Sequence, residues 1–232
     1  MLIKNGIIGD TTINGVAFFT QIVQVKRGGN GVRTCQQRGN PAFIVVHNTG
    51  NTTVGAGALN HAKYLQNCEN DPNGDIVGYH FVVDNKAFYQ LLPLDEKAWH
   101  ASDGADGDGN SRGVAIEICE NSDGDYSVAE SNAVKLIFAL QAHFSIDNAH
   151  VKPHRFFATA TKKLCPHLIL KSEATWVADW DLWVAKNLVV KAETGVLYKV
   201  QVGAFAEKKN AEKLVAELKT KGYTTIIIEV KT

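Results

Sequence analysis

The chain of 232 residues carries eight histidines, and all of them fall between His47 and His167. If imidazole does chemistry, the central segment hosts it. Imidazole and thiolate together suit zinc, and a catalytic zinc site needs three protein ligands with a fourth position left for water. His47 closes the apolar run 44–46, where strand polarity puts it at a sheet edge. His154 follows Pro153 at the start of a loop, and Cys165 stands in Lys163-Leu164-Cys165-Pro166. One donor from a strand end and two from a single loop can converge without a helix. Spacing alone leaves the ordinary alternatives open: a histidine is more often a hydrogen-bonded structural residue, and an unpaired cysteine a small buried hydrophobe.

Other metal arrangements fit less well. His150 and His154 are four apart, but Pro153 disfavours a helix through both and no glutamate follows His150, which excludes a zincin helix. Asp106, Asp108 and Asn110, with Glu117 twelfth in line, resemble a calcium loop. Its sixth position, however, is Ser111 where glycine is needed, and Glu117 falls in a strand pattern. Glu117 is informative in its own right. An acid between Ile116 and Ile118 is costly to bury unless its charge is used; the ordinary alternative is a solvent-facing position on an edge strand. Lys163, two before Cys165, reads equally as an ordinary solvated lysine, and Lys162 beside it weakens any claim of uniqueness.

These residues need a scaffold, and composition bounds it. Hydrophobic residues at 45% and charged residues at 21% are the mix of a globular chain, not a disordered one. The length suggests one domain of moderate size with a small appendix. No apolar run approaches the roughly 18 residues of a membrane-spanning helix. The 24 basic and 24 acidic residues cancel, which gives no pointer to nucleic acid. Four cysteines are too few for a disulfide framework. Lys4 and an apolar stretch broken by Asn5, Gly6 and Asp10 do not make a secretory signal, so synthesis in the cytoplasm with reduced thiols is expected.

Residues 1–40 read as a lead-in of short β segments (7–8 and 16–25) ending in the turn RGGNG at 27–31. Residues 42–46 form a buried strand by length and β-branching. Residues 56–66 have helical spacing with Leu59, Ala62 and Leu65 on one face, and 78–84 with 88–92 flank a hairpin turn at Asn85-Lys86. The stretch 102–113 is all turn formers and reads as a surface loop. Residues 114–119 alternate, with Val114, Ile116 and Ile118 facing one way and Ala115, Glu117 and Cys119 the other. Amphipathic helices follow at 129–144, through Ala133, Leu136, Ile137 and Leu140, and at 176–188. The result is an α/β domain around one sheet over 1–190, with its core at 41–190.

The end of the chain differs in charge. Residues 191–232 hold eight lysines against five glutamates. A linker is expected at 191–196, closed by Gly195. Beyond it, alternation at Tyr198, Val200 and Val202, a helix face at Ala211, Leu214, Val215 and Leu218, and a strand at 226–230 spell one β-α-β unit, short for an autonomous core.

Five motifs occur in order: IVVHNTGN (44–51), GYHFVVD (78–84), KAWHASDGADGDGN (97–110), VAIEIC (114–119) and KLCPH (163–167). Together, over about residues 40–185, they resemble the zinc-dependent N-acetylmuramoyl-L-alanine amidases of the amidase-2 type, found in phage endolysins and bacterial autolysins and related to peptidoglycan recognition proteins. The resemblance implies a central mixed β-sheet flanked by helices, with a groove for a peptidoglycan stem. It puts His47, His154 and Cys165 on the three zinc-ligand positions, Glu117 on the general base and Lys163 on a lysine that stabilises the transition state. Tyr79 matches a tyrosine that assists in other branches, and Asn48, Trp99 and His100 fall in segments lining the substrate groove. The implied activity is hydrolysis of the amide between N-acetylmuramic acid and L-alanine by zinc-activated water, on the cell wall after release by lysis or a holin. The alternative is a recognition protein that binds peptidoglycan without cutting, against which Cys165 speaks. A serine-type α/β hydrolase is a more distant rival, expected to lack its nucleophile elbow. Two departures stand out. Eleven positions separate His154 from Cys165, longer than is usual in the family, so the loop FFATATKKL can place Lys163 differently or let Lys162 compete. The lead-in is also longer than the family core requires. The tail 197–232 resembles half of a sporulation-related (SPOR) peptidoglycan-binding repeat, implying a wall tether and possible self-association through that unit.

Overall fold

The computed structural model describes residues 1–188 and 202–220. The chain divides into two units, Met1–Val189 and Val190–Thr232. In the first, the strands β1 (Ile3–Lys4) and β2 (Ile7–Ile8) pair as a small separate ribbon, antiparallel. The main sheet has seven strands: β3 (Thr12–Ile13), β4 (Val16–Thr20), β5 (Phe43–Asn48), β6 (Phe81–Val83), β7 (Ala87–Gln90), β8 (Gly113–Ile118) and β9 (Val151–Pro153). Their spatial order is β3-β4-β7-β6-β8-β5-β9.

The middle of this sheet is parallel. β8 pairs with β6 on one side and β5 on the other, and β5 also pairs with β9, all in the same direction. Parallel strands buried on both faces call for near-continuous apolar sequence, which FIVVHN and GVAIEI supply. Their shared direction brings the carboxyl ends of β5, β6 and β8 to one edge, where ligands of such sheets bind.

Two layers cover the sheet. On one face Ile44, Val46, Phe81, Val114, Ile116 and Ile118 pack with α3 (Tyr126–Phe144) through Ala133, Leu136, Ile137 and Leu140, and with α5 (Trp176–Asn187) through Trp180 and Trp183. On the other, Tyr79, Val82, Ala115 and Cys119 pack with α1 (Ala58–Asn70) through Ala58, Ala62 and Leu65. The alternation expected for 114–119 is thus present, with Val114, Ile116 and Ile118 buried on one face and Ala115 and Cys119 buried around a partly exposed Glu117 on the other. α3 starts at Asp125, whose carboxylate accepts the Val128 N–H, and ends at Ser145 in a left-handed conformation (φ 57°). α1 has no cap of its own; Asp84, from the β6–β7 turn, accepts the Ala58 N–H at 2.9 Å. Among the described residues no helix is long and apolar enough to cross a membrane.

Several expectations need correction. The strand expected over 16–25 stops at Thr20, although the N–H groups of Gln21 and Val23 still donate to Gln90 and Leu91 carbonyls. On α1, Leu59 is 43% exposed, because it lies one residue, about 100°, round the helix from Ala58, while Ala58, Ala62 and Leu65 line up. The segment 102–113 is not wholly a surface loop: it contains the short helix α2 (Asp108–Arg112), with Gly109 and Asn110 buried. His154 does not begin a loop but opens the one-turn helix α4 (His154–Phe157).

The lead-in is part of the fold. β3 and β4 extend the main sheet beside β7, and the turn after them wraps the end of α1. There the N–H groups of Lys26, Arg27 and Arg33 all donate to the Glu69 carboxylate. Arg33 in turn pairs with the buried Glu96 at 2.6 Å. In the second unit, helix α6 (Lys208–Thr220) half-buries Ala211, Leu214, Val215 and Leu218, the face expected. The expected linker 191–196 and strands at 198–200 and 226–230 lie outside the described residues.

Candidate metal centre

His47 sits at the carboxyl end of β5, in register with Glu117 on β8. β9, the other neighbour of β5, runs through Pro153 directly into His154. Cys165 lies on the following loop, which is held to the start of α4 by the Arg155 N–H donating to the Cys165 carbonyl at 2.9 Å. One potential ligand atom from each of His47, His154 and Cys165 lies within 4.8 Å of the other two, and all three residues are buried.

The donor set fits a metal ion. Tetrahedral bonds of about 2.0–2.3 Å hold donors roughly 3.3–3.8 Å apart, and His47 Nδ1 is 3.8 Å from Cys165 Sγ. The opposite nitrogens are engaged: His47 Nε2 pairs with His100 Nδ1 at 3.1 Å, and His154 Nε2 with Ser102 Oγ at 3.1 Å. His154 Nδ1 is buried with no protein partner. Burial, and then the neighbouring His154, His100 and Lys163, hold His47 well below its usual pKa. Burial and then Lys163 bring His154 down to about 4. Both rings are therefore neutral at pH 7, with lone pairs to give. Burial, followed by the charge of Glu117, pushes the Cys165 thiol up to about 12, with the Asn48 N–H opposing. A cation taken up here displaces that proton.

Glu117 stands beside the three donors. Its Oε1 is 3.8 Å from His47 Nδ1, and Oε2 is buried without a protein partner. Burial raises it to about 8, Lys163 working against the shift and Glu120 with it. The edge-strand alternative fails, because β8 lies inside the sheet with a partner on each side. Lys163 is exposed, yet its charge acts on His47, Glu117, His154 and Cys165. Lys162 acts instead on Glu173, which separates the two lysines.

The remaining expected residues are placed unevenly. Tyr79 is buried near Glu117, but its hydroxyl donates to the His61 carbonyl at 3.4 Å. Trp99 is half-buried, and its carbonyl accepts the Gly78 N–H. Asn48 and His100, expected on the substrate groove, are turned inward. The Asn48 amide donates to Tyr126 Oη and accepts from the Leu168 N–H, both at 3.0 Å, which ties down the loop carrying Cys165. His100 is 7% exposed and sits behind His47. Sequence reasoning missed Ser102, Asn110 and Glu120, whose buried carboxylate lies 2.9 Å from His167. For the first two a signal existed, since a Ser-Asp pair followed by Asn is the composition of capped turns. The pentapeptide GNSRG at 109–113 spells G-x-S-x-G, but it leads from helix into strand, and Ser111 Oγ donates to the Gly107 carbonyl at 2.7 Å. A nucleophile elbow runs the other way, from strand into helix.

Comparisons with known proteins give the family and the fold. A family profile described as N-acetylmuramoyl-L-alanine amidase matches residues 37–168, and one described as SPOR domain matches 194–232. Similar relatives are the N-acetylmuramoyl-L-alanine amidases XlyA and CwlH of Bacillus subtilis. The first is 46% identical over 151 residues, 65% of this chain and 48% of the relative; the second is 46% identical over 130 residues, 56% and 49%. The chain thus spans about half the length of the curated relatives it matches. The catalytic domain of XlyA superposes with a TM-score of 0.60 at 39% identity, covering 71% of this chain and 99% of that domain. A mutant endolysin from Bacillus subtilis gives 0.59 at 41%, with the same coverage.

Proposed function

The chain belongs to the N-acetylmuramoyl-L-alanine amidase family, and on that premise we propose that it hydrolyses the amide joining the lactyl group of N-acetylmuramic acid to L-alanine in peptidoglycan, with zinc held by His47, His154 and Cys165. The carrying observation is the buried cluster of two neutral imidazoles and a thiol with the Glu117 carboxylate 3.8 Å from His47. When bound, zinc lowers the pKa of a coordinated water to about 7 and polarises a carbonyl.

The chain's own residues do the rest. Glu117 takes the proton from the attacking water and hands it to the departing alanine amine. Without a bound cation, burial raises its carboxyl to about 8; a cation held by the three ligands would oppose that shift and leave Glu117 a carboxylate able to accept a proton. Lys163 stabilises negative charge on the carbonyl oxygen, a kind of contribution worth about 10²–10³ in rate when a single donor is lost. Trp99 lines the groove, and Tyr79, buried near Glu117, spends its hydroxyl on the His61 carbonyl. Asn48 and His100 support ligands instead of touching substrate. The third ligand and Glu117 favour an enzyme over a recognition protein that only binds.

The domain carrying this chemistry runs to about residue 190, and the unit at 197–232 tethers the enzyme to glycan strands, with self-association of two copies through that unit. Support for the tether is the SPOR match and the amphipathic α6. Mass spectrometry of digested peptidoglycan tests the activity: a free L-alanine amine with intact glycan is expected, and cleavage within the glycan or the stem overturns it. Deleting 197–232 should reduce co-sedimentation with purified walls; undiminished pelleting removes the tether.

A further inference from the structure

Both candidate histidine ligands are held from behind by one short segment. His47 Nε2 meets His100 Nδ1, and His154 Nε2 meets Ser102 Oγ, two residues further on, each at 3.1 Å. The segment is itself fastened from within. Asn110 Oδ1 accepts the N–H groups of both His100 and Ala101 at 2.7 Å, and its amide donates to the Gly104 carbonyl at 3.1 Å. Asp103 accepts the N–H groups of Gly109 and Asn110. Asn110 is 5% exposed, so water does not compete for these bonds.

Ser102 carries a second mark. It is a non-glycine residue in the left-handed region, at φ 59°. That conformation is unfavourable for a residue with a side chain and persists only where the surroundings impose it. Here it directs the hydroxyl at His154 while the chain turns on towards Asp103.

We propose that residues 100–110 form a clamp that sets metal affinity, with His100 and Ser102 as positioning residues for His47 and His154 and Asn110 as the fastener. The proposal rests on the reading of His47, His154 and Cys165 as zinc ligands. It also fixes the tautomers. With a metal on Nδ1 of His47, the ring proton sits on Nε2 and donates to His100 Nδ1; with a metal on Nδ1 of His154, Nε2–H donates to Ser102. The hydrogen bond behind each ligand selects the nitrogen that faces the ion and makes it a better donor.

The test is zinc affinity of the full-length protein, by competition with a chromophoric chelator, alongside the melting temperature of the metal-free form. Ser102→Gly and Asn110→Ala should each raise the zinc dissociation constant about 10–100-fold. Ser102→Gly separates clamp from scaffold, since glycine suits a left-handed φ: its metal-free melting temperature should not fall while zinc binding weakens. His100→Gln, which keeps a hydrogen-bond acceptor, should lose less affinity than His100→Ala. Folded Ser102→Gly and Asn110→Ala proteins that hold zinc as tightly as the parent overturn the clamp and leave the metal site standing. A parent that takes up no zinc overturns both.

Discussion

Glu69 and Glu117 are both acids in the interior of the first unit, and their surroundings are opposite. Glu69, with no exposed surface, sits at the end of α1 inside the turn of the lead-in. Burial pushes its pKa up, but the N–H groups of Lys26, Arg27, Arg33 and Val32 together outweigh it and leave the group below its usual value. Glu117, on β8, has no such donors. Burial prevails, Lys163 opposes it only in part, and the carboxyl rises to about 8 with one oxygen unpartnered. One acid is a structural anion whose lone pairs are taken by the backbone. The other is kept short of partners beside three candidate metal ligands, the condition a group needs if it is to exchange protons. Burial therefore does not mark a functional acid; the supply of hydrogen-bond donors around it does.

The comparison can be broken most directly through activity. Glu117→Ala should lower kcat/KM on cell walls by about 10²–10⁴-fold while zinc content is retained. Wild-type turnover would remove Glu117 from the mechanism. Glu69→Ala should leave zinc content unchanged but lower stability by roughly 2–4 kcal/mol, because the backbone N–H donors gathered on it, those of Lys26, Arg27 and Arg33 among them, lose a buried acceptor. That is a fall of several degrees in melting temperature, and an unchanged transition would mean that water replaces the carboxylate at no cost.

The subtlest difference lies in pH. Glu69, held below its usual value, adds stability that is present above the unfolded value of about 4.3 and is lost as pH falls through its folded pKa. Glu117 has the opposite sign: the folded metal-free protein binds its proton more tightly than the unfolded chain. Its contribution is complete below about 4.3 and is lost as pH rises towards 8. Denaturant titrations of the metal-free protein should show Glu117→Gln gaining on the parent between pH 5 and 8, within about those bounds. Parallel curves would show that Glu117 is not desolvated.

Much of this was legible in the residues. The apolar runs around β5 and β8 announced buried strands, the 3.6-residue spacing announced α3, and the ordered motifs named the family and pointed to three candidate ligands that the fold brings together. The side chains behind the ligands were not legible. His100 and Asn48 stand in motifs that border the groove, and nothing in their spacing tells whether an imidazole or an amide turns towards substrate or towards a neighbouring ligand. The run of turn formers at 102–113 hid a buried asparagine, because composition reports the need for tight turns and not what those turns enclose. The lead-in, longer than the family core requires, had no visible role for the same reason, since its polar turn is explained by Glu69, 36–43 residues away along the chain.

Sequence by itself determined the chemistry available to this protein: two imidazoles, a thiol, an acid and a lysine, on segments whose local periodicity makes strands, helices and loops. Local periodicity follows from neighbours along the chain, so it survives in one dimension. Only the tertiary structure decided which nitrogen of each ring faces the centre, which of Lys162 and Lys163 lies near it, and which of two glutamates, Glu69 or Glu117, is satisfied. Those outcomes depend on hydrogen bonds and charges between residues far apart in the chain, and distance through space is the one quantity a sequence does not record.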